Sequence, residues 1–262
     1  MKHDDLIFFK QWFGDYCRSF YSDELEDQKN ILLKEEHTFN VCRNMVRITG
    51  DLSLDEQQRL LAETVALFHD IGRFPQYARF RTFRDSDSVN HGILGAETLH
   101  EQRVLQRLSL DEQTIILEAV RFHNAFSVPK NENDEIIFFI RLVRDADKLD
   151  IWRVFLEYYE SPHESKASAV GLGLPDVPEY TNGILSVIYD KQIIRLADLK
   201  TLNDFKLLQL SWIFDLNFRP SFQLLKERDY INRITAHLPQ TEEIRNILAF
   251  LLEYVQGKLN GH

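Results

Sequence analysis

The chain has 262 residues, 44% of them hydrophobic, with 31 Lys+Arg against 41 Asp+Glu for a formal net charge of −10. That acidity argues against a protein that coats nucleic-acid duplexes, whose phosphates need a basic face. Two cysteines, Cys17 and Cys42, are too few for a disulfide scaffold or a thiolate zinc cluster. The glycines (10) and prolines (7) reach about half the usual share of roughly 12%, which favours long helices over many short strands. The opening segment MKHDDLIFFKQWFGDY lacks the apolar centre of a secretion signal, and no run of apolar residues is long enough to cross a bilayer. The expectation is a cytoplasmic protein with no membrane partner.

Apolar residues at helical spacing predict helices over about 4–20 and 24–48. Ser53-Leu54-Asp55-Glu56 has the form of a capping box opening the next helix, which is expected to stop near Gly72. A helix is predicted over about 91–107, and Ser109-Leu110-Asp111-Glu112 opens another that stops before Pro129. The next covers about 135–159. Residues 161–183 hold three of the seven prolines and three of the ten glycines. Such a stretch reads as a loop over one core, or as a linker dividing the chain near residue 165. Helices follow at about 184–197 and 203–216, and Thr241, with Glu242 and Glu243 in the first turn, starts a last one ended by Gly257. No segment alternates convincingly as a strand. The fold class expected is all-α: a single helical domain with a core over about 24–160, a loop over 161–183 and a helical extension over 184–262.

Four of the nine histidines stand at telling places. His37 lies in EEHTFNVCRNMV, His69-Asp70 in ALFHDIGRF, His91 in NHGILGAETL and His123 in EAVRFHNAF. The string RLVRDADKLDIW adds Asp145, Asp147 and Asp150. Imidazole and carboxylate together suit metals such as Zn, Mn and Fe. Taken singly, each is an ordinary core or surface residue; the ordered set is what points to a site. Adjacent His69 and Asp70 would lie about 100° apart around a helix, so they converge only where a helix end faces the ligand, and Gly72 suits such an end.

In this order, H…HD…H…H…D, the chain resembles the HD-domain metal-dependent phosphohydrolases over roughly residues 24–160, most specifically in FHDIGRF and DADKLD. The resemblance implies an HD-type helical bundle in which His37, His69, Asp70 and Asp147 bind a divalent ion. Asp147 is preferred to Asp145 because Ala146-Asp147-Lys148-Leu149 fits the family's Ala-Asp-x-Leu frame; Asp150 is read as structural. His91 and His123 match the extra histidines of binuclear members, where Asp70 would bridge both ions. One or two ions are therefore expected, Mn or Fe first, with Mg, Co, Ni and Zn as alternatives. A GYP signature is absent, and no subfamily is assigned.

The activity implied is hydrolysis of a small phosphorylated substrate, a nucleotide or phosphodiester, by a metal-activated water. The alternatives are a nucleotide-binding sensor or adaptor without turnover, and a di-iron oxygenase on the same ligand set. Asp70, Lys148 and Arg73 are the candidate catalytic residues. Arg79, Arg81 and Arg84 form either an anion-facing loop or salt bridges with Asp85 and Asp87. Phe68, Phe74, Phe80, Phe83 and Phe122 could stack a base but read more simply as packing. The apolar C-terminal helices serve either a homodimer interface or an extension of the core.

Overall fold

The computed structural model describes residues 1–160 and 173–261, which contain helices and connecting segments but no strand. In chain order the helices are α1 (His3–Arg18), α2 (Leu25–Gly50), α3 (Glu56–Phe68), α4 (Arg73–Phe80), α5 (His91–Glu101), α6 (Leu110–Phe122), α7 (Asp134–Glu160), α8 (Ile184–Tyr189), α9 (Leu202–Ser211), α10 (Arg219–Glu227), α11 (Tyr230–Ala236) and α12 (Glu242–Asn260). The fold is all-α. The described residues fall into two compact units, one holding residues 1–150 and the other residues 151–160 with 173–261. The division falls within α7, ahead of the proline- and glycine-rich stretch. Residues 161–172 of that expected loop lie outside the described residues, and 173–183 form no helix.

Local chemistry sets most helix boundaries. Ser109 caps α6 as expected: its hydroxyl accepts from the Glu112 N–H at 3.4 Å, and the Glu112 carboxylate accepts from the Ser109 N–H at 3.0 Å. The cap expected at Ser53 is displaced by two residues. Asp55 accepts from the Gln58 N–H at 2.8 Å and Gln58 returns the bond to the Asp55 N–H at 3.1 Å, because a carboxylate is as good a cap as a serine hydroxyl. The helix expected over 91–107 stops at Glu101, two residues before Arg103, whose φ of 53° lies in the left-handed region. Lys191, with a φ of 55°, similarly falls just beyond α8, in place of the longer helix expected to 197. At the C-terminal end Gly257 continues the helix and Gly261, φ 87°, closes it.

In the first unit, α1 lays an aromatic face on the core. Phe9 packs edge-on to Phe68 at 5.5 Å, and Phe13 to Phe39 at 5.7 Å and Phe74 at 5.9 Å. Phe9, Phe13 and Phe68 are fully buried, and Phe74 nearly so, each worth about 1.5–3 kcal/mol of transfer free energy. Two glycines let backbones approach closely. A Cβ on Gly72 would stand 2.2 Å from the His91 carbonyl oxygen and 2.6 Å from the Gly95 nitrogen; one on Gly92 would stand 2.7 Å from the Arg121 carbonyl oxygen. Both contacts seat the start of α5, one against the segment before α4 and the other against the end of α6.

The second unit is built around α9. Trp152 donates its indole N–H to the Gln209 carbonyl at 3.0 Å, and Phe155 packs edge-on to Phe205 at 4.7 Å. Asp204 is fully buried and accepts from the backbone N–H groups of Thr181, Lys200 and Thr201 and from the Thr181 hydroxyl, at 2.7–3.0 Å. That one carboxylate ties residues 181 and 200–201 to α9.

Candidate metal centre

The residues named from the sequence as ligands all lie in the first unit. His37 is in the middle of α2, and Asp147 on α7. The others sit where helices begin or end: His69 caps the C-terminus of α3 with Asp70 next to it, His91 opens α5, and His123 caps the C-terminus of α6. α3 ends at Phe68, but His69 keeps helical backbone angles (φ −53°, ψ −42°), and the chain turns tightly beyond it, the Ile71 N–H donating to the Phe68 carbonyl at 3.1 Å. His37, His69, Asp70, His91 and His123 are all at most 4% exposed.

Two triads share one carboxylate. His37, His69 and Asp70 form the first and Asp70, His91 and His123 the second, the donor atoms of each lying within 4.8 Å of one another. Asp70 Oδ2 faces His37 Nε2 at 3.6 Å and His69 Nε2 at 3.7 Å; its Oδ1 faces His91 Nε2 at 3.3 Å and His123 Nε2 at 3.7 Å. Asp147 Oδ1 joins the first group, 3.0 Å from His37 Nε2 and 3.7 Å from His69 Nε2.

The far side of every ring is occupied by an acceptor. His69 Nδ1 donates to the Ala66 carbonyl and His123 Nδ1 to the Val120 carbonyl, each at 2.7 Å. His37 Nδ1 donates to Asp150 Oδ2 at 2.7 Å, and His91 Nδ1 to Asp85 Oδ2 at 2.8 Å. These bonds place a proton on each Nδ1, so in the neutral rings each Nε2 presents a lone pair to the cluster. The Nε2 atoms then face one another across 3.3 Å between His37 and His69, and 3.0 Å between His91 and His123. Buried lone pairs and carboxylates pointed at one another repel unless a proton or a metal cation lies among them. Nitrogen and oxygen donors held this way by outer carboxylates and carbonyls fit a divalent metal.

The field of the first group favours positive charge. Burial opposes a charged His37, but the hydrogen bonds to Asp147 and Asp150 outweigh it and raise the ring to about 9. Burial also opposes charge on Asp70, and Lys34, His69 and Arg73 overcome it, holding the carboxyl well below the usual range. Asp147 is held down in the same way, against burial, by His37 and His69. In the second group the balance differs: burial and the nearby Arg73 push His91 down to about 3, so the ring is neutral at neutral pH and its Nε2 turns a lone pair toward Asp70 and His123.

The remaining residues named from the sequence are placed as follows. Arg73 donates Nε to Asp70 Oδ1 at 3.3 Å and Nη1 to Gln76 Oε1 and Asp85 Oδ1, both at 3.0 Å, and to the Phe83 carbonyl. It braces the segment after α4 against Asp70. Lys148 is half-buried on α7 between Asp147 and Leu149, and Asp145 is fully buried. Arg81 pairs with Asp27, Arg84 with Asp87 at 3.6 Å, and Arg79 lies over the Phe80 ring at 5.5 Å. Three further residues belong to the centre. Asp150 and Asp85 orient His37 and His91, and Lys34 donates to Asp70 Oδ2 at 2.8 Å. Asp150, read from the sequence as structural, lies three residues from Asp147, a spacing that puts both on one helix face and signals its place beside His37.

No curated protein and no solved structure matches the chain. Residues 35–152 match the family model of the HD domain, a span that begins two residues before His37 and contains every candidate ligand. With two triads meeting on the Asp of the His-Asp pair, residues 35–152 of the chain carry the HD domain that the family model describes.

Proposed function

We propose that the chain is a metal-dependent phosphohydrolase acting on a small phosphorylated molecule, a nucleotide or a phosphodiester. The observation that carries this is the sharing of Asp70: one oxygen serves His37 and His69, the other His91 and His123. His37, His69, Asp147 and Asp70 Oδ2 would hold one divalent ion, and Asp70 Oδ1, His91 and His123 a second, with Mn or Fe first among the candidates. When bound, such a pair polarises phosphoryl oxygens and lowers the pKa of a water toward neutrality.

The chain's own contribution is orientation and charge. Asp150 and Asp85 fix the His37 and His91 rings through Nδ1, while the Ala66 and Val120 carbonyls fix His69 and His123. Arg73 steadies Asp70 and places a positive charge beside it. Lys148, next to Asp147, is proposed to contact the phosphoryl group or donate a proton to the leaving oxygen.

The test is metal analysis together with turnover of a panel of phosphomonoesters, phosphodiesters and nucleotides. The wild-type protein, purified without chelator, is expected to carry up to two equivalents of metal and to release phosphate or a phosphomonoester. Asp70→Ala is expected to lose both metal and turnover. Retained hydrolysis in Asp70→Ala, or a wild-type protein that takes no metal on reconstitution, would overturn the proposal. Mixed-valent iron with oxygen consumption would move the assignment to an oxygenase.

A further inference from the structure

Two cations flank Asp70, and they are committed differently. Arg73 reaches four acceptors, Asp70, Gln76, Asp85 and the Phe83 carbonyl. Lys34 reaches one: its ammonium donates to Asp70 Oδ2 at 2.8 Å and otherwise lies 5.3 Å from the centre of the Phe83 ring. An ammonium has three N–H donors, so among the described residues two of those on Lys34 have no protein acceptor. The side chain is 17% exposed, while the Asp70 side chain beneath it is 4% exposed. Lys34 thus stands at the accessible edge of the centre, one helical turn before His37 on the same face of α2.

We infer that Lys34 is a substrate-contacting residue whose ammonium takes a non-bridging oxygen of the phosphoryl group beside Asp70. This rests on the phosphohydrolase reading. The oxygen that Lys34 holds is also the one Asp70 turns toward His37 and His69. An ion held by those three residues would draw on the same oxygen and set a second positive charge beside the ammonium. A phosphoryl anion answers both demands, since it accepts the two spare N–H groups and neutralises the added charge. Lysine suits this as a compact point charge on a flexible stem, whereas Arg73 is held by its protein partners. The Phe83 ring bounds the ammonium on another side and narrows the directions from which an anion can reach it.

The experiment measures two quantities on the Mn-reconstituted full chain: metal per chain by elemental analysis, and affinity for inorganic phosphate by titration calorimetry. Wild type, Lys34→Gln and Lys34→Arg are compared. The expected result is equal metal content in all three, with phosphate about 10–100-fold weaker in Lys34→Gln, as befits loss of a charge-assisted hydrogen bond. Lys34→Arg is expected to recover most of that loss, which a merely structural role would not predict. Unchanged phosphate affinity in Lys34→Gln overturns the inference, as does metal-loaded wild type that binds no phosphate. Loss of metal in Lys34→Gln also overturns it, because Lys34 would then be supporting Asp70. A wild-type protein that takes no metal is a distinct failure, that of the phosphohydrolase reading itself, and the role of Lys34 falls with it.

Discussion

Asp150 Oδ2 lies 2.7 Å from His37 Nδ1, on the opposite side of the ring from the Nε2 that faces Asp70 and Asp147. Asp147 and Asp150 are three residues apart on α7, so consecutive turns of one helix supply a direct ligand candidate and the carboxylate that orients its neighbour. Outer carboxylates of this kind fix the tautomer and make the ring a better donor. Asp150→Ala is therefore expected to weaken binding of the ion at His37 and His69 by about 10–100-fold. Competition with a chelator of known affinity measures this, and an unchanged dissociation constant would dismiss the orienting role.

Gly72 makes a second relationship testable. A methyl group there would meet the His91 carbonyl oxygen at 2.2 Å and the Gly95 nitrogen at 2.6 Å, both backbone atoms that cannot rotate aside. Gly72→Ala must push the start of α5 away from Asp70, and His91 is the first residue of α5. The expected cost is about 1–3 kcal/mol of overpacking strain, with loss of metal at the His91–His123 end ahead of the other. Thermal unfolding and metal content together check it; a variant as stable as wild type with full metal content would contradict the close approach.

Much of this centre is legible in the sequence because its residues come in short strings with their spacing intact. FHDIGRF and DADKLD name His69, Asp70 and Asp147, and the structure brings these within reach of His37. What orients them is harder to see. Asp85 reaches His91 from a 3₁₀ turn between α4 and α5, where no periodicity marks a partner. Lys34 looks like any lysine on a polar helix face until Asp70 is placed beside it. The basic segment after the His-Asp pair shows the opposite limit. Its residues allow an anion-facing loop or salt bridges alike, and in the structure Arg81 pairs with Asp27 and Arg84 with Asp87. Apolar spacing predicts helices that run on past Arg103 and Lys191, where a non-glycine residue takes a left-handed backbone that the spacing does not announce. The short helices α4, α10 and α11 are too brief for apolar periodicity to predict them.

Asp204 gives the second unit a dependence on pH. Burial alone would raise its carboxyl, but the hydrogen bonds from Thr181, Lys200 and Thr201 outweigh burial and lower it. A group whose folded pKa is depressed stabilises the fold above its unfolded pKa and loses that contribution as pH falls through the folded value. The contribution is thus complete at neutral pH and declines below about pH 4, near the ordinary carboxylate value. Asp204→Asn is expected to cost about 1.5–3 kcal/mol at pH 7 and less at pH 3. Urea unfolding at the two pH values, followed by the fluorescence of Trp152 and Trp212, tests the sign: an equal loss at both would show that the charge on Asp204 is immaterial.

The sharing of Asp70 predicts that the two ends of the centre can be separated. His91 and His123 face Oδ1 at 3.3 and 3.7 Å, and their Nδ1 protons go to Asp85 and the Val120 carbonyl. His123→Gln removes one donor from the second triad and leaves His37, His69, Asp147 and Asp70 Oδ2 in place. Its metal content is therefore expected to fall from two equivalents to one, whereas His69→Gln, which strikes the group containing Asp147, should weaken the other ion. Asp70 couples the ends electrostatically, so the remaining ion in His123→Gln should also bind more tightly: it no longer shares the carboxylate's charge with a second cation. Elemental analysis fixes the count and chelator competition fixes the affinity. Loss of both ions in His123→Gln would mean that the triads form one indivisible site, and an unchanged count would place His123 outside the metal set.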